Sequence, residues 1–314
     1  MANSGKFLTS LLRGLLKLMR GRSCFASYEE IFERNFGIIG NTLRNKTIFV
    51  LGGGSVGSLE IEKLTRSGVG EFVLFDNDRF SAANIARHVL TLDSIGKPKV
   101  VELENRAKRI NPGVKITSSQ EDFTELSFDK RRHIFTGVDL FISTTDSNEA
   151  EFEAALTAYL LGIPYIHVGC HERAGSGELL YQIPGFTKYC MNCWLGFRRG
   201  LPQQQGETLD YSDIPVAKIG RVIAEPGLYI DISTIVGISS QFALAILLGP
   251  ESPRWHSLVD PERNLVLING SCANNPIFSE PFQVSRPSLQ KTKSCEICEE
   301  TENLDFIEGF EPWS

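Results

Sequence analysis

Short unbroken apolar runs alternate along this chain with stretches whose apolar residues recur every three or four positions. The runs have the length of buried strands, and the spaced stretches have the helical period. "KTIFVLG" (46–52) reads as a buried strand, and "SVGSLEIEKLTRSGV" (55–69) as a helix ending at Gly68. "EFVLFD" (71–76) is the next strand, and "KPKVVELENRAKRIN" (97–111) a helix stopped by Pro112-Gly113. "VKITSS" (114–119), "VDLFIST" (138–144), a helix from Glu149 to Leu161 and "PYIHVGC" (164–170) continue the alternation. Such an order predicts an α/β, Rossmann-like, mostly parallel sheet with helices on both faces. "GELLYQIP" (177–184) and "NLVLING" (264–270) predict extra C-terminal strands. Residues 194–225 show no period and read as a long irregular segment. "GLYIDISTIVGISSQFALAILLG" (227–249) is the most apolar region, but Asp231, Gln241 and several serines interrupt it. It reads as a buried helix, and no uninterrupted apolar stretch reaches the roughly 18 residues of a membrane span.

The first 26 residues differ from the rest. Phe7, Leu8, Leu11, Leu12, Leu15, Leu16 and Met19 fall on one helical face among Lys and Arg, and the first acid is Glu29. Three readings fit a basic amphipathic helix over 5–22: packing on the body or on a partner subunit, contact with an acidic membrane surface, or an organelle transit peptide. Residues 301–314 form an acidic tail. The span 27–300 then forms one domain.

The 314 residues carry a net charge of −6 and a pI near 5.5, which argues against nucleic acid as the main partner. Of seven cysteines, four form two C-x2-C pairs, Cys190 with Cys193 and Cys295 with Cys298. Each pair can clamp one side of a tetrahedral ion, so the spacing predicts a structural Zn²⁺ site fastening the tail to the 190s loop. His167, Cys170 and His171 also lie close together, and read as packing and loop residues.

The strand–turn–helix at 46–69 contains Gly52, Gly54 and Gly57 in a G-x-G-x-x-G arrangement. That pattern allows close backbone approach to phosphate at a helix N-terminus. Asp76 lies 19 residues past Gly57, where an acid can bond ribose hydroxyls. Alone these features also fit an NAD-dependent oxidoreductase. Asn84, Arg87, Lys97 and Lys99 then gather polar and cationic groups that a triphosphate needs and a dinucleotide does not. Asp146 follows the strand 138–144 and suits Mg²⁺ beside a polyphosphate; it also suits capping of the next helix.

"LRNKTIFVLGGGSVGS", "GVGEFVLFDNDRFSAANIARHVL", "IGKPKV", "RINPGV", "DLFISTTDSN", "GIPYI", "CMNC" and "CEIC" occur in that order over roughly 31–300. The set resembles the ThiF/MoeB/HesA family, relatives of ubiquitin-activating enzymes, which adenylate the C-terminal carboxylate of a ubiquitin-like protein or a comparable acid with MgATP. The resemblance implies that Gly52, Gly54 and Gly57 line ATP, and that Asp76 holds the ribose. It groups Asp78 with the nucleotide-binding residues. It puts Asn84, Arg87 and Lys99 on the triphosphate and Asp146 at Mg²⁺. Arg34, in "FERNFGII", would reach the γ-phosphate across a homodimer. The implied partners are a ubiquitin-like protein ending in glycine and a conjugating enzyme, and the implied compartment is the cytoplasm. The basic N-terminal helix and the "RN-G" start lean towards bacterial conjugation, in an antiviral operon. Two departures stand out: Ala86 and His88 replace polar family residues in "NIARH", and Ser55 stands where glycine is common. Residues 194–225 contain no cysteine, and Cys170 is the spare thiol nearest the nucleotide edge, which favours an enzyme that stops at the acyl-adenylate. A peptide or tRNA-linked carboxylate as substrate, and a non-catalytic scaffold, are the competing readings.

Overall fold

The computed structural model describes residues 26–39, 41–200, 227–271, 278–289, 291, 295 and 297–298. The helix expected over 5–22, the acidic tail and most of the segment 194–225 lie outside them. The first described helices are α1 (Tyr28–Phe32) and α2 (Phe36–Ile39). They are followed by β1 (Thr47–Leu51), α3 (Ser55–Ser67), β2 (Glu71–Phe75), α4 (Lys99–Ile110) and β3 (Lys115–Ser119). Then come α5 (Phe128–Ile134), β4 (Leu140–Ser143), α6 (Asn148–Leu160), β5 (Tyr165–Cys170) and β6 (Ser176–Gln182). The remaining elements are α7 (Met191–Gly200), α8 (Tyr229–Leu248), α9 (Pro253–Leu258), β7 (Leu265–Asn269) and β8 (Val284–Ser285).

The strands form one sheet in the order β3-β2-β1-β4-β5-β6-β7-β8. The first five pair in parallel; β6 and β7, the extra strands the sequence predicts, extend the sheet antiparallel, and β8, which the sequence does not predict, closes the edge. Both faces of β1 are buried, which is why it reads as a continuous apolar run. Ile48 and Val50 join the core under α3, α4 and α8, while Phe49 and Leu51 join the core under α6 and α7. On the second face the Phe49 ring centroid lies 5.1 Å from Phe75 and 4.6 Å from Phe141. Ala154 and Ala158 let α6 approach that aromatic layer closely.

Chain direction changes sides between β1 and β4. Helices crossing from β1 to β2 and from β3 to β4 leave a crevice at the carboxyl ends of these two strands, where open α/β sheets take ligands.

The structure corrects two local readings. Residues 194–200 belong to helix α7 rather than to an irregular segment. The helical turn places Cys190, Trp194 and Leu195 in the core, and three-residue spacing carries no long periodic signal there. Helix α4 starts at Lys99 instead of 97, because Pro98 stands at its N-cap with extended ψ. Among the described residues one helix, α8, is long and apolar enough to cross a membrane; 61% of its most apolar window is buried in the protein.

Candidate functional site

Four element ends converge on the crevice. The turn after β1 depends on glycine at two places. Gly52 has φ +93°, a left-handed conformation, and a Cβ there would lie 3.0 Å from Thr144 Oγ1. A Cβ on Gly57 would lie 1.9 Å from the Gly52 carbonyl oxygen, so only glycine lets α3 seat on the turn. Gly54, the N-cap of α3, has ordinary negative φ, and its Cβ would meet nothing within 4 Å. Packing explains Gly52 and Gly57. Open space beside Gly54 is what close approach of a phosphate requires.

The turn is pinned from both flanks. Thr144 Oγ1, just past β4, lies 2.8 Å from the Gly52 carbonyl oxygen and 3.1 Å from that of Leu51, and its single proton is shared between these two acceptors. Asp76, just past β2, accepts the Gly53 N–H at 2.6 Å and the Asp78 N–H at 2.8 Å. Burial pushes the Asp76 carboxyl up, and nearby Lys99 and these two backbone donors pull it back only in part. Lys99, the first residue of α4, is 9% exposed at its side chain; its Nζ lies 2.6 Å from Asp78 and 4.0 Å from Asp76. The structure therefore brings Gly52, Gly54, Gly57, Asp76, Asp78 and Lys99 into one crevice.

Asn84 and Arg87 lie on a 3-10 turn, Ala82–Arg87, that follows β2, and both are half-buried. The Asn84 side-chain oxygen accepts from the Ser81 backbone N–H (2.9 Å) and hydroxyl (3.0 Å), which fixes the turn. Asp146 is exposed beyond β4. Ser147, not Asp146, caps α6, accepting the Ala150 N–H at 3.3 Å, so the competing structural role for Asp146 is filled by its neighbour.

Arg34 is not part of this crevice. Tyr28 and Asn35, on either side of it, bond the carbonyls of Gly68 and Arg66 at the carboxyl end of α3. The 13 residues of α3 separate that end from the glycine turn by about 20 Å. Arg34 is exposed there and cannot serve the site of its own chain.

Two features escaped the sequence reading. Thr144 is a single threonine after a strand, with no pattern to mark it. A largely buried charge network links α6, β5 and β6: His167 lies 3.1 Å from Glu151 and 3.3 Å from Glu178, and the half-buried His171, just past β5, lies 2.9 Å from Glu178. Burial alone would push His167 down, but Glu151 and then Glu178 outweigh it and raise the imidazole to about 9. The reading of His167 and His171 as packing residues holds, with ionic rather than apolar partners. Cys170 is pushed up to about 12 by burial first and Glu178 second, which makes it a poor nucleophile near neutrality.

Cys190, Cys193, Cys295 and Cys298 are buried, and their sulfurs lie within 4.8 Å of one another. The separations of 3.8 Å (190–193), 3.4 Å (190–295), 3.9 Å (193–295) and 3.7 Å (193–298) are too long for disulfides. They match the roughly 3.8 Å edge of a tetrahedron with Zn–S near 2.3 Å. The Asn192 side-chain amide, 3.5 Å from Cys295 Sγ, adds a donor suited to a thiolate. The donor set fits Zn²⁺.

A model of the ThiF family matches residues 32–260. The chain is 34% identical over 160 residues to ubiquitin-like modifier-activating enzyme 5 of Aedes aegypti, covering 48% of this chain and 40% of that protein. It is 30% identical over 174 residues to the enzyme of the same name from Dictyostelium discoideum, covering 51% and 45%. The chain thus spans less than half the length of the curated relatives it matches. Among solved structures, E. coli MccB with ATP superposes with a TM-score of 0.62 at 16% identity, over 88% of this chain and 76% of that one. PaaA superposes at 0.59 and 16% identity, over 91% and 83%. At such identity these two report the fold. The family match spans most of the chain and takes in the glycine turn, Asp76, Arg87, Lys99 and Asp146: the chain belongs to the ThiF family.

Proposed function

We propose that this protein adenylates the C-terminal carboxylate of a ubiquitin-like protein, using ATP. One observation carries the reading. The glycine turn is pinned on both flanks, leaves open space at Gly54, and has Asp76 and Lys99 beside it, with Asn84 and Arg87 on the segment that follows β2 and Asp146 on the one that follows β4. A dinucleotide has no use for that many polar and cationic groups at the phosphate end. The relatives' name, ubiquitin-like modifier-activating enzyme, supports the acid substrate.

In this reading Asp76 holds the ribose, and the Gly54 backbone lies against phosphate. The substrate's carboxylate oxygen attacks the α-phosphorus in line with the leaving pyrophosphate. Arg87 and Lys99 offset the charge that grows on the leaving group, and no protein nucleophile takes part. Asp146 is the residue that would hold Mg²⁺, which would supply further neutralisation of the phosphate charge. Arg34 acts across a homodimer, since its own crevice is out of reach. Four thiolates would leave zinc no open position, so its role is to clamp the chain. The high pKa of Cys170 supports release of the acyl-adenylate to an acceptor outside this chain, such as a conjugating-enzyme partner.

ATP–pyrophosphate exchange tests the proposal, run with and without a ubiquitin-like protein ending in free glycine. Carrier-dependent exchange that falls at least about 100-fold in Arg87→Ala and in Asp146→Ala is expected. Exchange driven equally by a short peptide acid would move the substrate class; absence of exchange with every acid would leave the scaffold reading.

A further inference from the structure

The 3-10 turn after β2 is followed directly by His88, one of the two departures from the family pattern in "NIARH". His88 is 5% exposed and packs against Phe80, with ring centroids 5.0 Å apart. Its Nε2 lies 2.8 Å from the Gly53 carbonyl oxygen, and its Nδ1 lies 3.1 Å from the Leu90 backbone nitrogen. A carbonyl oxygen only accepts and a backbone N–H only donates. The ring must therefore carry its proton on Nε2 and accept at Nδ1, a single neutral tautomer. Burial keeps it neutral, pushing it down to about 4.

The consequence lies one atom beyond the bond. The Gly53–Gly54 peptide is planar and trans, so the Gly54 N–H points opposite to the Gly53 carbonyl. Holding that carbonyl fixes the N–H direction away from His88. Asp76 holds the preceding peptide through the Gly53 N–H at 2.6 Å and Thr144 holds it through the Gly52 carbonyl, so both peptide planes of the turn are clamped by side chains. Gly54 is also the glycine of the turn whose Cβ would meet open space.

We propose that His88 is a positioning residue for ATP: its imidazole holds the Gly53 carbonyl so that the Gly54 N–H faces the nucleotide phosphate. The proposal rests on the ATP reading above. His88 touches the turn and not the substrate.

Two substitutions separate this role from packing. In His88→Gln the side-chain amide nitrogen falls near Nε2 and can still donate to Gly53. In His88→Asn the amide oxygen falls near Nδ1, keeping the Leu90 bond and losing the Gly53 bond. ATP affinity is measured by titration calorimetry, with melting temperature alongside. The expected result is an affinity within about threefold of wild type for Gln and a loss of about tenfold or more for Asn, the size of one hydrogen bond. Equal affinities in both variants, or losses that merely follow melting temperature, would overturn the proposal while leaving ATP binding by wild type intact. Wild type that binds no ATP would overturn the adenylation reading and this proposal together. Nitrogen-15 shifts of His88 in the wild-type protein provide a check independent of variant folding. Protonated Nε2 with bare Nδ1 is expected, and the opposite tautomer overturns the clamp.

Discussion

Three glycines in the β1–α3 turn have different reasons to be there, and substitution separates them. Gly57→Ala places a methyl 1.9 Å from the Gly52 carbonyl oxygen, which neither backbone can avoid. A destabilisation above about 3 kcal/mol is expected in chemical denaturation. Gly54→Ala meets no atom and keeps an allowed φ, so stability changes by no more than about 1 kcal/mol, the difference expected at an N-cap. Its ATP affinity falls at least about tenfold by calorimetry, because the methyl fills the space proposed for phosphate. A Gly54→Ala protein that binds ATP like wild type would remove the main support for the nucleotide site. The glycine pattern was legible in the sequence, but the distinction between packing and ligand glycines was not. It depends on what stands across the turn, Thr144 from β4, which is 87 residues from Gly57 in the chain.

Helices α3 and α8 meet around a carboxyl group. Glu60, in the middle of α3, is fully buried and faces Ser239 and Ser240 of α8, with Ser240 Oγ at 2.7 Å. Ser240 Oγ also lies 2.8 Å from the Val236 carbonyl, yet a hydroxyl has one proton to give. A protonated Glu60 satisfies both contacts by donating to Ser240. Burial agrees, raising the acid to about 7 despite the two serines and Lys63. The folded pKa lies above the unfolded one, so the stabilising contribution is complete below about 4.5 and is lost as pH rises through about 7. The loss is on the order of 3 kcal/mol. Glu60→Gln keeps a neutral donor and removes that dependence: its melting temperature is expected to gain on wild type from pH 5 to pH 8. Parallel curves across that range would show that Glu60 stays ionised in the fold. At this scale the strands and helices were legible because burial on two sides or one imposes the period. The acid at 60 was not, since it occupies a core position on a helix whose apolar pattern tolerates one exception. The start of α7 was missed for a related reason: its fixed point is the cysteine cluster, and the partner cysteines lie more than 100 residues away.

At the scale of the whole molecule, two long-range ties follow. The cysteine cluster joins the 190s, where α7 packs on the sheet, to the 290s. Metal analysis is expected to find one Zn²⁺ per chain. Removal by chelation, or by Cys193→Ser, is expected to lower the melting temperature by roughly 10 °C. An unchanged melting temperature with zinc lost would contradict a clamping role. Arg34, about 20 Å from its own glycine turn, requires a second copy for any part in catalysis. Arg34→Ala and Asp146→Ala proteins, each inactive alone, should regain about a quarter of wild-type exchange when mixed in equal amounts, because about half of all dimers are then mixed and each mixed dimer carries one intact site of two. No recovery, with subunit exchange shown, would place Arg34 outside the reaction. The C-x2-C pairs were plain in the sequence, whereas the placement of Arg34 needed the docking of α1 and α2 on the far end of α3.

The central claim is attack on the α-phosphorus of ATP by a carboxylate, and the fate of the phosphate label tests it most directly. The protein is incubated with a ubiquitin-like protein and ATP labelled at the α- or the γ-phosphate, and the acid product is isolated under mild acid. Label from the α-position on the acid, with none from the γ-position, is the predicted result. Label from the γ-position would mean phosphoryl transfer, and no label from either would mean that the crevice holds a nucleotide without activating an acid.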